Sequence, residues 1–430
     1  MEPLIRPHPH RTGWVISRRS FLGTAGLAGL NWLTPVGELL ARAAEDLPKG
    51  EPAYSVILLW MQGGPSQLET FDPHPGTRIG GETKAIRTRA KDIQLADGLE
   101  RLAEHTDCLA VIRSMISKEG DHERATMMMK TGYRPDPTTT YPSLGAIICH
   151  ELPVGKTEIP RHISILPGPW PSRGGFLGAE FDAFLTYDPL QKVPDVTPRV
   201  SPPRDLLRYR DMEIAEKTFA KGRGSRVEET LHRHSVQSAR TMITTEQLKA
   251  FDVTLEPLSL RREYGDTPFG RACLAARRLI EVGVRCVEVT LDGWDTHAEN
   301  HSLTAGRKEI LDPAFSALLK DLKDRDLLRK TIVVWAGEFG RTPNINPLGG
   351  RDHWPKGFSV ALAGGPIRGG IVLGATDPEG KKEPDRPVTV GDLHATILTA
   401  VGLNPRRENI SPIGRPIRLA DGEPIRDLLT

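Results

Sequence analysis

Residues 54–61 read Y-S-V-I-L-L-W-M and stop at Gln62-Gly63-Gly64-Pro65-Ser66. A run this apolar, without polar alternation, has no face to offer to water. It fits a strand covered on both sides, and such strands belong to parallel sheets flanked by helices. Similar runs follow at 109–112, 162–166, 284–291, 331–335, 357–363 and 370–373. Arg285 and Glu288 interrupt the third of these. Between them, 99–105, 141–150, 269–282, 312–325 and 392–401 carry helical patterns, the last with Asp392 as its N-cap. Alternating strand and helix signals predict an α/β fold with a doubly wound, mostly parallel sheet. Residues 205–249 differ: they are charged, poor in strand formers, and read as an inserted helical cap.

The 57 basic and 55 acidic residues leave a net charge of +2. That balance predicts no nucleic-acid partner. The 42 glycines and 36 prolines require much loop and turn. The four cysteines form no C-x-x-C pair, so a thiolate zinc site is not expected. Near the start, Ser17-Arg18-Arg19-Ser20-Phe21-Leu22-Gly23 matches the twin-arginine export pattern, followed by a weakly apolar stretch and Ala41-Arg42-Ala43. Residues 1–43 are therefore expected to be a signal peptide that engages the twin-arginine translocase. Residues 44–430 are expected to form the folded domain, in the periplasm or outside the cell. Asn31, Pro35 and Glu38 break the apolar stretch, so no integral membrane anchor is expected.

In open α/β sheets, ligands bind beyond the carboxyl ends of the strands. The loop after 284–291 carries Asp292-Gly293-Trp294-Asp295-Thr296-His297, and the loop after 331–335 carries Gly337-Glu338-Phe339-Gly340-Arg341. Gly350-Arg351-Asp352-His353 follows, and Asp121-His122-Glu123 lies beyond the run at 109. Mixed carboxylates and imidazoles suit zinc or manganese. Asp295, His297, Glu338, Asp352 and His353 are the expected metal ligands. Arg341 and Arg351 are expected to pair with an anion, because a guanidinium fork matches its oxygens. The Gly364-Gly365-Pro366-Ile367-Arg368-Gly369-Gly370 segment lacks a Lys-Ser/Thr ending and reads as a hairpin turn.

Taken together, G-G-P-S with T-F-D-P at 63–73, G-W-D-T-H at 293–297, G-E-F-G-R-T-P at 337–343, G-R-D-H-W at 350–354 and D-L-H-A-T-I-L at 392–398 resemble an uncharacterised twin-arginine-exported bacterial family, of the domain of unknown function 1501 type. That family is placed with the alkaline phosphatase and sulfatase superfamily, which implies an alkaline-phosphatase-like fold. Met129-Lys130-Thr131-Gly132 is similar to the end of the sulfatase nucleophile motif, and counting back puts His122 at the nucleophile position. Glu338 falls at a metal-binding Asp, and Gln62 holds the place of another.

Without Cys, Ser or Thr at position 122, the usual covalent routes are not supported. His122 is left as a metal ligand, as a nucleophile or acid/base group, or as a remnant of a dead site. The expected function is an exported, metal-dependent hydrolase of an anionic ester, phosphoester or sulfoester, with a small molecule or glycan as substrate. The rival is a degenerate binding or scaffold protein on the same fold. Changing Arg18 and Arg19 to Lys is expected to hold the precursor in the cytoplasm, as read by cell fractionation and immunoblotting. Unimpaired export of that variant would refute the signal reading.

Overall fold

The computed structural model describes residues 54–197, 200–223, 232–380 and 382–430. The expected signal segment, with Arg18 and Arg19, lies outside the described residues. The strands are β1 (Ser55–Met61), β2 (Ala85–Arg87), β3 (Gln94–Ala96), β4 (Leu109–Ile116), β5 (His162–Ile165), β6 (Phe184–Thr186), β7 (Cys286–Leu291), β8 (Thr331–Ala336), β9 (Gly340–Arg341), β10 (His353–Trp354), β11 (Phe358–Ala363), β12 (Ile371–Leu373) and β13 (Val388–Thr389). One 9-stranded sheet runs β12-β4-β11-β8-β1-β7-β5-β6, with β13 also on β4. β1 lies between β7 and β8, parallel to both, as its apolar run predicted. β5 and β6 extend the parallel block. Only β11 runs against its neighbours β8 and β4 in this sheet. The pairs β2–β3 and β9–β10 stand apart and are antiparallel.

The sheet is covered on both faces, which is why β1 has no polar alternation. Ile57, Leu59 and Met61 pack into one core. Val56 and Trp60 pack into the other. The helices are α1 (Glu100–Ala103), α2 (His122–Thr131), α3 (Leu144–Glu151), α4 (Pro202–Ala220), α5 (His232–Thr244), α6 (Leu258–Glu263), α7 (Pro268–Glu281), α8 (Asn300–Asp324) and α9 (Val390–Ala400). α7 and α8 cover the first face, while α2, α3 and α9 cover the second. α4 and α5 occupy the charged 205–249 region, which contributes no strand among the described residues.

Three local expectations are corrected. Thr389, not Asp392, is the N-cap of α9; Asp392 sits at N3 and completes a capping box. α8 begins at Asn300 rather than 312 and carries Pro313 inside it. Asp312 instead accepts the backbone N–H groups of Arg101 and Leu102 at 3.0 and 2.8 Å. The glycine-rich 364–370 segment is no hairpin: β11 and β12 lie on opposite sides of β4 and do not pair.

Glu288, the polar break in β7, is fully buried. Its Oε1 accepts from Lys130 Nζ at 2.9 Å, and its Oε2 from Ser172 Oγ at 2.7 Å. Burial alone would raise the Glu288 carboxyl pKa, but Lys130 and Ser172 hold it below the ordinary value. Glu288→Ala would leave the Lys130 ammonium buried and unpaired. It is expected to lower stability by about 3–5 kcal/mol in urea unfolding. Lys130→Met with Glu288→Met should lose clearly less than the single variant.

Candidate metal centre

β4, β8, β1 and β7 point the same way, so the loops at their carboxyl ends share one rim. β11 runs in the opposite sense and therefore begins at that rim. This topology brings together Gln62 after β1, His122 after β4, Asp295 after β7, Glu338 after β8 and His353 before β11. Close packing of the β1 and β7 loops needs Gly63, at φ 112°. A Cβ there would lie 2.5 Å from the Asp295 backbone nitrogen.

Each of three imidazoles is tethered through Nδ1. His122 Nδ1 lies 2.7 Å from Glu338 Oε1, His297 Nδ1 2.8 Å from Asp352 Oδ1, and His353 Nδ1 2.8 Å from the Gly120 carbonyl. All three partners are acceptors, so Nδ1 donates to them, and a neutral ring held in this way turns an Nε2 lone pair to the other side. Those Nε2 atoms gather around Asp295. His122 Nε2 is 3.3 Å from Asp295 Oδ2, while His297 and His353 Nε2 are 3.2 and 3.4 Å from Oδ1. His297 Nε2 and His353 Nε2 face each other at 3.0 Å. Two lone pairs at that distance repel unless a cation or a proton sits with them. The ligand atoms of His122, Asp295 and His353 all lie within 4.8 Å of one another. His122 Nε2 is buried without a hydrogen-bond partner.

This donor set fits a divalent ion. Zinc bonds of about 2.0–2.1 Å in a tetrahedral shell put neighbouring donors about 3.3 Å apart. Histidine ligands held by a carboxylate or carbonyl on the far nitrogen are the usual outer arrangement of such centres. The electrostatics are divided. Its hydrogen bond to Glu338 raises the His122 pKa against partial burial, while burial lowers that of His353. For Asp295, burial alone would raise the carboxyl pKa, but Arg341 and the nearby histidines hold it down. Phe339 stacks on His353 with ring centres 4.4 Å apart, forming an aromatic wall.

The eight expected site residues therefore separate. His122, Asp295, His297 and His353 converge. Glu338 Oε1 and Asp352 Oδ1 meet the Nδ1 atoms of His122 and His297, while Glu338 Oε2 is buried without a hydrogen-bond partner. Glu338 Oε1 also accepts from Gly63 N at 2.9 Å and Gln62 Nε2 at 3.3 Å. The two arginines are corrected as anion binders. Arg341 is fully buried and donates to the carbonyls of Gly63, Gly64 and Arg351 and to Asp295 Oδ1. Arg351, also fully buried, donates to Glu69 Oε1 and to the carbonyls of Ile79, Thr342 and Pro343. The Gly120 carbonyl and Asn346, whose Nδ2 donates to the His297 carbonyl at 2.9 Å, were not foreseen. A backbone acceptor leaves no mark in the residue types.

The chain matches the family described as Protein of unknown function (DUF1501) over residues 53–429. It belongs to that family. No curated protein matches it by sequence. Among solved structures, it is similar to the lipoteichoic acid synthase LtaP from Listeria monocytogenes, with 8% identity, 84% of this chain and 74% of that one covered, and a TM-score of 0.41. It is similar to an alkaline phosphatase from the Antarctic bacterium TAB5, with 13% identity, 83% and 100% coverage and a TM-score of 0.36. The PsFucS1 sulfatase from Pseudoalteromonas sp. is similar at 12% identity, 86% and 70% coverage and a TM-score of 0.37.

Protein purified without chelator is expected to carry about one zinc or manganese ion per chain by elemental analysis. A ligand bound to the folded state alone at a hundred times its Kd adds about 2.7 kcal/mol. EDTA should therefore lower the Tm of the wild type by several degrees. His353→Ala and Asp295→Asn should each lose metal and, with it, the EDTA-sensitive part of the Tm.

Proposed function

We propose that this protein is a metal-dependent hydrolase of a phosphoester or sulfoester that acts outside the cytoplasm. The observation that carries the reading is the set of three imidazoles, each tethered at Nδ1, with Nε2 turned toward Asp295. A divalent ion bound there supplies a Lewis acid and lowers the pKa of a water molecule. His122, His297, His353 and Asp295 are the residues that would hold it.

The remaining roles belong to the outer contacts. Glu338 fixes the His122 ring and its tautomer, Asp352 fixes His297, and Arg341 aims Asp295. His122 opens α2, whose first turn is capped by the Asp121 side chain accepting from Arg124 N, so the helix start fixes where the His122 ring stands. Hydrolysis joins a water oxygen to phosphorus or sulfur, breaks the bond to the alcohol oxygen, and passes one proton to the departing alcohol. No side-chain nucleophile enters this scheme. The export motif at Ser17–Gly23 supports action outside the cytoplasm.

One observation favours a second reading, a binding protein on the same fold. The two arginines expected to receive the anion are fully buried, and the Nη groups of both donate inside the protein. The two readings separate in one assay series. The hydrolase is expected to cleave at least one of p-nitrophenyl phosphate, bis-p-nitrophenyl phosphate and p-nitrophenyl sulfate. The activity should vanish with EDTA and return with zinc or manganese. Asp295→Asn should lower kcat/KM at least a hundredfold, about 2.7 kcal/mol of transition-state stabilisation. Metal-loaded wild-type protein that cleaves none of these, nor any ester in a wider panel, would establish the binding protein instead.

A further inference from the structure

Alternate side chains of a strand point to opposite faces, so Trp60 and Gln62 lie on the same side of β1. The ladder carries on past Met61, where the Gln62 N–H donates to the Leu291 carbonyl at 2.9 Å. On that side Trp60 is buried in the core beneath α2, with Lys130 Nζ 4.9 Å from its ring centre. An ammonium over an aromatic face is attracted to it. Lys130 is itself fixed by Glu288 at 2.9 Å. The buried ion pair therefore holds the indole in place.

Trp60 Nε1 donates to Gln62 Oε1 at 2.9 Å. An indole N–H can only donate, so the oxygen end of the Gln62 amide must turn to Trp60. The NH2 end then faces the other way and donates to Glu338 Oε1 at 3.3 Å. That same oxygen meets His122 Nδ1 at 2.7 Å. Gly168 closes in on the amide: a Cβ there would lie 2.9 Å from Gln62 Oε1. Trp60, Gln62 and Glu338 are all buried, so bulk water does not replace a lost partner.

We propose that Trp60 is a positioning residue of the metal centre, acting through Gln62 and Glu338 on the His122 ring. The proposal rests on the metal-dependent reading above and deepens it. The two ends of an amide are alike in shape but opposite in character. Packing alone does not choose between them; the indole donor does. With the NH2 end outward, Gln62 attracts the Glu338 carboxylate that holds His122. With the oxygen end outward, it would repel that carboxylate and loosen the ring. A phenyl ring at position 60 would fill much of the same space and leave the choice open.

The test is a double-mutant cycle on the full chain. Trp60→Phe keeps an aromatic ring and deletes the donor. Gln62→Ala deletes the amide through which Trp60 acts. Zinc affinity is read by competition with a chelator. The bond from His122 to Glu338 is read in metal-free protein, from the low-field NMR signal of the His122 Nδ1 proton, assigned by its loss in His122→Asn. Trp60→Phe is expected to speed exchange of that proton. It should also weaken zinc binding about tenfold, the low end for outer partners of a metal centre. In the Gln62→Ala background the same substitution should change neither. A residue that merely fills the core costs the same in both backgrounds, so additive losses overturn the proposal. So does wild-type exchange and affinity in Trp60→Phe. Should that variant fail to fold, Gly168→Ala decides, since its Cβ displaces the amide oxygen from the indole. It should speed ring-proton exchange only where Gln62 is present, and unchanged exchange overturns the proposal. The reading above fails separately. If the wild type takes up no zinc, that reading falls and the ring-proton cycle still decides the role of Trp60. If zinc binds and esters are cleaved but the losses are additive, only the role of Trp60 falls.

Discussion

The buried Arg341 guanidinium is the contact on which the rim depends. Its Nε donates to the Gly64 carbonyl, its Nη1 to the Arg351 carbonyl, and its Nη2 to the Gly63 carbonyl and Asp295. One side chain thus joins the loops that leave β1, β7 and β8 to the segment leading into β10. Burying a guanidinium costs several kcal/mol unless its donors are matched. Here each nitrogen has an acceptor. Burial pushes the Arg341 pKa down, with Asp295 opposing the shift. The group still carries its charge at any pH the fold survives. The same charge keeps Asp295 ionised among three histidines, so the anchor of the loops also sets the electrostatics of the centre.

Much of this is legible in the sequence, for a definite reason. A strand covered on both faces must be apolar throughout, so β1 and β8 announce themselves, and the loops that follow such strands must meet at one rim. That logic brought Asp295, His297, His353 and His122 together on residue type and strand position alone. It was blind to orientation. Arg341 and Arg351 lie in the right loops, yet their side chains turn inward, toward backbone carbonyls that any sequence would supply. Glu338 and Asp352 also lie in the right loops, but one oxygen of each meets an imidazole Nδ1. Residue spacing says which chain segments meet; it does not say which of two bonded groups faces the cavity.

Polar groups inside the elements have the same origin of difficulty. Glu288 weakened the strand reading at β7 because a lone carboxylate looks solvated, while its partner Lys130 lies in a distant helix. The helix at 312–325 was expected to begin at Asp312. In the structure it reaches out from the middle of α8 to cap the short helix α1. Each case is a polar group satisfied across long sequence separation. Such pairing cannot be read from local pattern, although burial and partner supply explain it once the coordinates are known.

The charge balance of the centre argues for a single cation. Asp295, Glu338 and Asp352 bring three negative charges, and Arg341 offsets one. One divalent ion cancels the remaining two; a second would leave an uncompensated excess in a partly buried site, where charge is costly. Gln62 bears on this balance. It stands at the end of β1, where a carboxylate would add a negative charge and a second set of donor oxygens. Instead its amide donates to Glu338 Oε1, beside the Gly63 N–H and the His122 ring. Three groups thus meet Glu338 Oε1, while Oε2 is buried without a hydrogen-bond partner. Conversion to Asp at position 62 would remove one of those donors and place two carboxylates side by side. The neutral amide therefore keeps a donor, not a second carboxylate, against the Glu338 oxygen that holds the His122 ring.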